Sequence, residues 1–102
     1  MKSVLFGSLV FLAACSKGPT IDATTDEALN TSLNSLYQTL TPNEGEKLRQ
    51  DMAWLNSYFQ RRIYKGQKVE DAQKEYIQML NGKTPDEVGD QVDALRPYDQ
   101  RP

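Results

Sequence analysis

The stretch TPNEGEKLRQDMAWLNSYFQRRIYKG, residues 41–66, decides the fold. Thr41 suits a helix cap, Pro42 suits the first helical position, and Glu44 completes a capping box with the threonine. Leu48, Met52, Leu55, Phe59 and Ile63 follow at helical spacing, which gathers them on one side. Gly66 comes just after Tyr64 and can adopt the left-handed conformation that ends a helix. The pattern predicts one long helix with a dry stripe, ending near Tyr64.

The flanking segments read the same way. Upstream, Thr24 and Glu27 have capping-box spacing, and Leu29, Leu33, Leu36 and Leu40 form a narrow apolar stripe. Downstream, a third helix is expected from Val69 to Leu80, with Glu70 and Asp71 in the first turn where the helix dipole favours acid. Its buried side is Val69, Ala72, Tyr76, Met79 and Leu80, and Asn81-Gly82 stops it. Thr84-Pro85-Asp86-Glu87 repeats the proline-led start and opens a short fourth helix carrying Val88, Val92 and Leu95, closed by Arg96-Pro97. No run alternates with a period of two, so no sheet is expected. The fold class is therefore all-α: a small four-helix, up-down bundle of three longer helices and one short.

The amino-terminal segment is of another kind. Met1-Lys2 begins it, an apolar run from Val4 to Leu12 follows, and Ala13-Ala14 precede Cys15, the only cysteine. That is the layout of an export signal, too short to span a bilayer. Leu12, Ala13, Ala14 and Cys15 resemble a lipobox, the processing motif of bacterial lipoproteins. The resemblance implies cleavage before Cys15 and lipid on its thiol and its new amino terminus. Several acyl chains together make a lasting anchor. The expected organisation is a removed signal at 1–14, a lipidated cysteine and tether at 15–23, a helical domain at 24–96 and a loose tail at 97–102. Gly18-Pro19 breaks structure in the tether and Thr20-Ile21-Asp22 reads as extended.

Two further stretches, Ile21-Asp22-Ala23-Thr24-Thr25-Asp26-Glu27-Ala28 and Leu80-Asn81-Gly82-Lys83-Thr84-Pro85-Asp86-Glu87-Val88, carry a second resemblance. With the lipobox they resemble a small family of helical bacterial lipoproteins that has no assigned activity. The resemblance implies a lipid-anchored helical protein, and it carries over no activity and no set of catalytic residues.

Composition argues against several function classes. The chain of 102 residues contains no histidine, which removes the commonest base and metal ligand near neutral pH. Its one thiol is assigned to lipid, and no glycine-rich phosphate loop or nucleophile elbow is present. An enzyme is not expected, nor is a cofactor or metal beyond the covalent lipid on Cys15. A formal charge of −2 lacks the basic excess of a nucleic-acid module. Asp86, Glu87, Asp90 and Asp93 form an acidic cluster without calcium-loop spacing, which reads as a helix start and a solvated face. Arg61, Arg62, Lys65 and Lys68 read as complement to a helix carboxyl end, or as partners of the acids on the fourth helix.

One surface stands out as a binding candidate. Trp54, Tyr58, Arg61 and Lys65 share a second face of the long helix, and aromatic and arginine side chains dominate interface hot spots. The competing reading is that this helix is central and touches neighbours on both sides. The expected role is a membrane-anchored, non-enzymatic module that binds a protein partner in the cell envelope. Ser16, rather than aspartate, after the lipidated cysteine suggests an outer-membrane location facing the periplasm. The alternative is a lipoprotein inhibitor or immunity protein acting on a toxin or lytic enzyme.

Overall fold

The computed structural model describes residues 18–98. The lipobox residues Leu12, Ala13, Ala14 and Cys15, the signal segment and the tail from 99 onward lie outside the described residues. Within them the chain forms a small all-α four-helix bundle: α1 (Asp26–Thr39), α2 (Pro42–Tyr64), α3 (Val69–Leu80) and α4 (Pro85–Leu95), then a single 3-10 turn at Arg96–Tyr98.

Local chemistry explains the helix boundaries. Thr41 Oγ1 accepts from the Glu44 N–H while the Glu44 carboxylate accepts from the Thr41 N–H, so both orphan donors at the start of α2 are satisfied. Thr84 and Glu87 do the same for α4. Gly66, just past α2, has φ +115°, a conformation that a Cβ would strain. α3 begins at Val69 and ends at Leu80, as the pattern predicts.

The start of α1 differs from expectation by one residue. Thr25, not Thr24, is the cap, and its hydroxyl accepts from the Ala28 N–H. Thr24 is already engaged, because its hydroxyl and its backbone N–H both donate to Asp22 Oδ1, at 2.6 and 3.0 Å. Those two bonds, the hydroxyl's first, hold the Asp22 carboxyl below its usual range.

α2 is the central element. It packs against both α3 and α4, which also touch each other. Leu48, Met52, Leu55 and Phe59 of the expected stripe are buried, joined by Ala72 and Leu80 of α3 and by Val88 and Val92 of α4. α1 completes the core with buried Leu36, while Leu29, Leu33, Tyr37 and Leu40 are half-buried against it.

The expected tether at 15–23 is corrected at its end. Ile21 is only 1% exposed and Ala23 is buried beside it, so both belong to the core. The Ile21 N–H donates to the Lys83 carbonyl and its own carbonyl accepts from the Gly82 N–H, at 2.9 and 2.8 Å. The Ala23 N–H donates to Asn81 Oδ1, and the Asp22 N–H donates to Ser32 Oγ on α1. The receiving loop is a tight turn: the Lys83 N–H returns to the Leu80 carbonyl, with Asn81 at φ −65°, ψ 124° and Gly82 at φ +77°. Those angles match a type II turn, whose third position calls for glycine. The two stretches singled out in the sequence, 21–28 and 80–88, are therefore clasped together in space.

Ile21→Ala should destabilise the domain by about 2–4 kcal/mol, as a core deletion does. Tyr64→Ala, at an exposed position, should stay within about 0.5 kcal/mol. Denaturant unfolding of the two variants checks the difference; equal effects would mean that Ile21 is not core.

Candidate functional site

The face proposed from sequence is not one open patch. Trp54 is buried at 9% exposure and stacks on Tyr58, with ring centroids 5.2 Å apart and planes 14° from parallel. The Arg96 guanidinium, from the turn after α4, lies 5.3 Å from the Trp54 ring. Tyr58 meets Phe59 edge-on, and Phe59 meets Tyr76 of α3 in the same way. Tyr58 and Arg61 are half-buried, and of the four only Lys65 is exposed. The aromatic members therefore tie α2 to its neighbours, which is what a central helix does with a second face.

The basic group divides likewise. Arg62 donates to the Tyr58 hydroxyl at 3.2 Å, lies over the Tyr58 ring and pairs with Glu75 on α3 at 3.4 Å. Glu75 also accepts from Gln67 in the α2–α3 link. The α4 acids are not what Arg62 engages. Burial pushes the phenols of Tyr76 and Tyr37 above their usual range, with Asp26 adding to the effect at Tyr76.

The concave surface lies elsewhere, between α2 and the start of α4. One hollow of about 430 Å³ is lined by Pro19, Leu40, Leu48, Thr84 and Pro85 among others. A second, of about 350 Å³, contains Asp51, Gly89 and the acidic residues Asp86, Asp90 and Asp93. Lys47, Pro85 and Asp86 line both, so the two hollows form one groove with an apolar end and an acidic end. Asp86, Asp90 and Asp93 thus share a face, as their spacing implied. Glu87 does not join them, because its carboxylate caps α4. Among the described residues no three acidic or thiol side chains are grouped to hold a metal ion.

Asp51 is not among the site residues expected from the sequence. Its side chain is 1% exposed, on the dry side of α2, and its Oδ2 accepts from Lys47 Nζ at 2.6 Å. Its Oδ1 has no donor. A carboxylate buried with half of its acceptors unmet is costly, and most such groups are paired. Gly89 of α4 makes the arrangement possible: a Cβ there would come within 3.2 Å of Asp51 Oδ2 and 3.3 Å of Lys47 Nζ. The signal was present in the sequence, since Asp51 falls on the stripe between Leu48 and Leu55 with a lysine one turn before it.

No family model matches the chain, and no curated protein or solved structure is significantly similar to it.

Lys47→Met should destabilise the fold by about 1–3 kcal/mol, because it leaves Asp51 buried and unpaired while losing a contact that is itself partly screened. Glu46→Gln breaks an exposed pair with Arg49 and should cost less than about 0.5 kcal/mol. Thermal or denaturant unfolding of both variants checks this; a neutral Lys47→Met would mean that Asp51 does not need its partner.

Proposed function

We propose that this chain is a membrane-anchored, non-enzymatic bacterial lipoprotein that presents a helical module to a protein partner in the cell envelope. The observation that carries the reading is the docking of Ile21. Between Cys15 and Ile21 there are six residue steps, which reach at most about 20 Å when fully extended. A lipid on Cys15 would therefore hold the bundle against the bilayer surface rather than on a long leash.

The groove lies on the same side as that leash. Pro19, four steps from Cys15, lines its apolar end. A partner engaging the groove would meet the module at the membrane surface, which suits an accessory protein of an envelope assembly. The outer membrane, facing the periplasm, is the location that Ser16 favours. No helix among the described residues is long and apolar enough to cross a membrane, so attachment in this reading rests on the lipid.

Photo-crosslinking in living cells tests it, with the probe at Asn43 or Asp86 on the groove and at Gln60 as a control position. The expected result is one discrete crosslinked protein from the groove positions and none from Gln60, lost in Cys15→Ser, which should also lose incorporation of a palmitate analogue. A toxin or lytic enzyme as the captured protein would turn the reading to inhibitor or immunity protein. Unchanged crosslinks or retained labelling in Cys15→Ser would overturn the anchored module.

A further inference from the structure

We propose that the acidic end of the α2–α4 groove is a guanidinium site, built to receive an arginine side chain of a partner protein in place of Lys47. This deepens the partner-binding reading by naming the chemistry of the contact.

The argument starts from Asp51. A carboxylate offers two oxygens and about four lone-pair directions, but Lys47 is a single ammonium and reaches only Oδ2. Oδ1 is left buried without a donor. A guanidinium is a planar fork that donates to both oxygens of a carboxylate at once, which a lysine head cannot do. The site as it stands is therefore occupied by the weaker of the two cations for this geometry.

Lys47 is also placed to give way. Its side chain is 56% exposed while its partner is 1% exposed, so the ammonium sits at the boundary and can move into water without crossing protein. Gly89 lets α4 lie close against this pair, since a side chain there would crowd both Asp51 Oδ2 and Lys47 Nζ. Asp86 and Asp90 are exposed on the rim. Asp93 lies 3.8 Å from Arg96, a loose pair at the surface. Four carboxylates line the acidic hollow with one lysine, and that imbalance attracts a cation and raises its rate of encounter.

The occupant follows from these features. The adjoining apolar hollow with Leu40, Leu48 and Pro85 offers surface for the methylene stem or for a neighbouring residue of the same chain. An arginine within a polypeptide uses both ends of the groove.

The test is a titration of the full-length chain in detergent micelles, followed through the amide signals of Asp51 and Gly89. The probes are N-acetyl-arginine N-methylamide, its lysine counterpart and free L-arginine. The blocked arginine should shift both signals saturably and bind about tenfold tighter than the blocked lysine, the worth of one added charge-assisted hydrogen bond. Lys47→Met should bind it more tightly, because the internal competitor is gone, and Asp51→Asn should abolish the response. Should Asp51→Asn fail to fold, Asp86→Asn/Asp90→Asn, altered only at exposed positions, must still weaken binding several-fold. Equal response to the arginine and lysine probes, or unchanged binding in Lys47→Met, would overturn the site. Tighter binding of free L-arginine than of the blocked form would overturn the protein partner as its source. The titration needs neither membrane nor partner, so a silent crosslinking experiment beside a positive titration would reject the envelope module and keep the site.

Discussion

The clasp between Ile21 and the Leu80–Lys83 turn is the constraint on which the rest of the structure depends. It joins the segment before the first helix to the link between the last two, and so closes the chain on itself. Three backbone donors are used in the exchange, those of Ile21, Gly82 and Ala23. Ile21 also adds apolar volume to a core that no disulfide supports, since the chain has one cysteine. A domain of this size buries a modest share of its surface, and one well-placed isoleucine is a large fraction of its margin. The turn that receives it depends on Gly82 at φ +77°, so a short loop and a short lead-in each specify the other.

α2 distributes the remaining forces along its length. Its stripe from Leu48 to Phe59 is the apolar core, its aromatic side locks onto α3 and the turn after α4, and its amino-terminal half carries the buried Asp51. The aromatic side and the Asp51 side have opposite characters. Trp54 and Tyr58 gain from stacking and burial, whereas Asp51 is held where its charge is only half met. A small domain that keeps a carboxylate in its core gives up stability that an apolar residue of similar volume would supply. Asp51 lines the concave surface beside Gly89, and the arginine site proposed above would account for that loss.

Much of the fold was legible because helix ends are local. The capping boxes at Thr41–Glu44 and Thr84–Glu87, and the stops at Gly66 and Asn81-Gly82, each depend on residues within one turn of each other. The start of α1 falls one residue later than the capping-box spacing predicts, because Asp22, two positions before Thr24, engages the Thr24 hydroxyl. Ile21 could not be assigned to the core, since a lone isoleucine has no period and its partners are about sixty residues away. Gly89 likewise shows its purpose only when α4 is laid against α2. Trp54 and Tyr58 have the right composition for an interface, but Arg96 from the turn after α4 lies over Trp54, and Tyr58 packs edge-on against Phe59, which in turn meets Tyr76 of α3. Asp51 was within reach of sequence reasoning, as an acid on a dry stripe with a lysine four residues before it.

In the lipid-anchored reading proposed above, the clasp sets the distance from the membrane, because docking at Ile21 fixes how much chain remains between the bundle and Cys15. Native-state amide hydrogen exchange of the full-length chain tests the clasp most directly. The amides of Ile21, Gly82 and Ala23 should exchange as slowly as those of Leu55 and its neighbours in α2, opening only with the whole domain. Exchange of these three at the rate of an exposed loop, while α2 stays protected, would contradict the account.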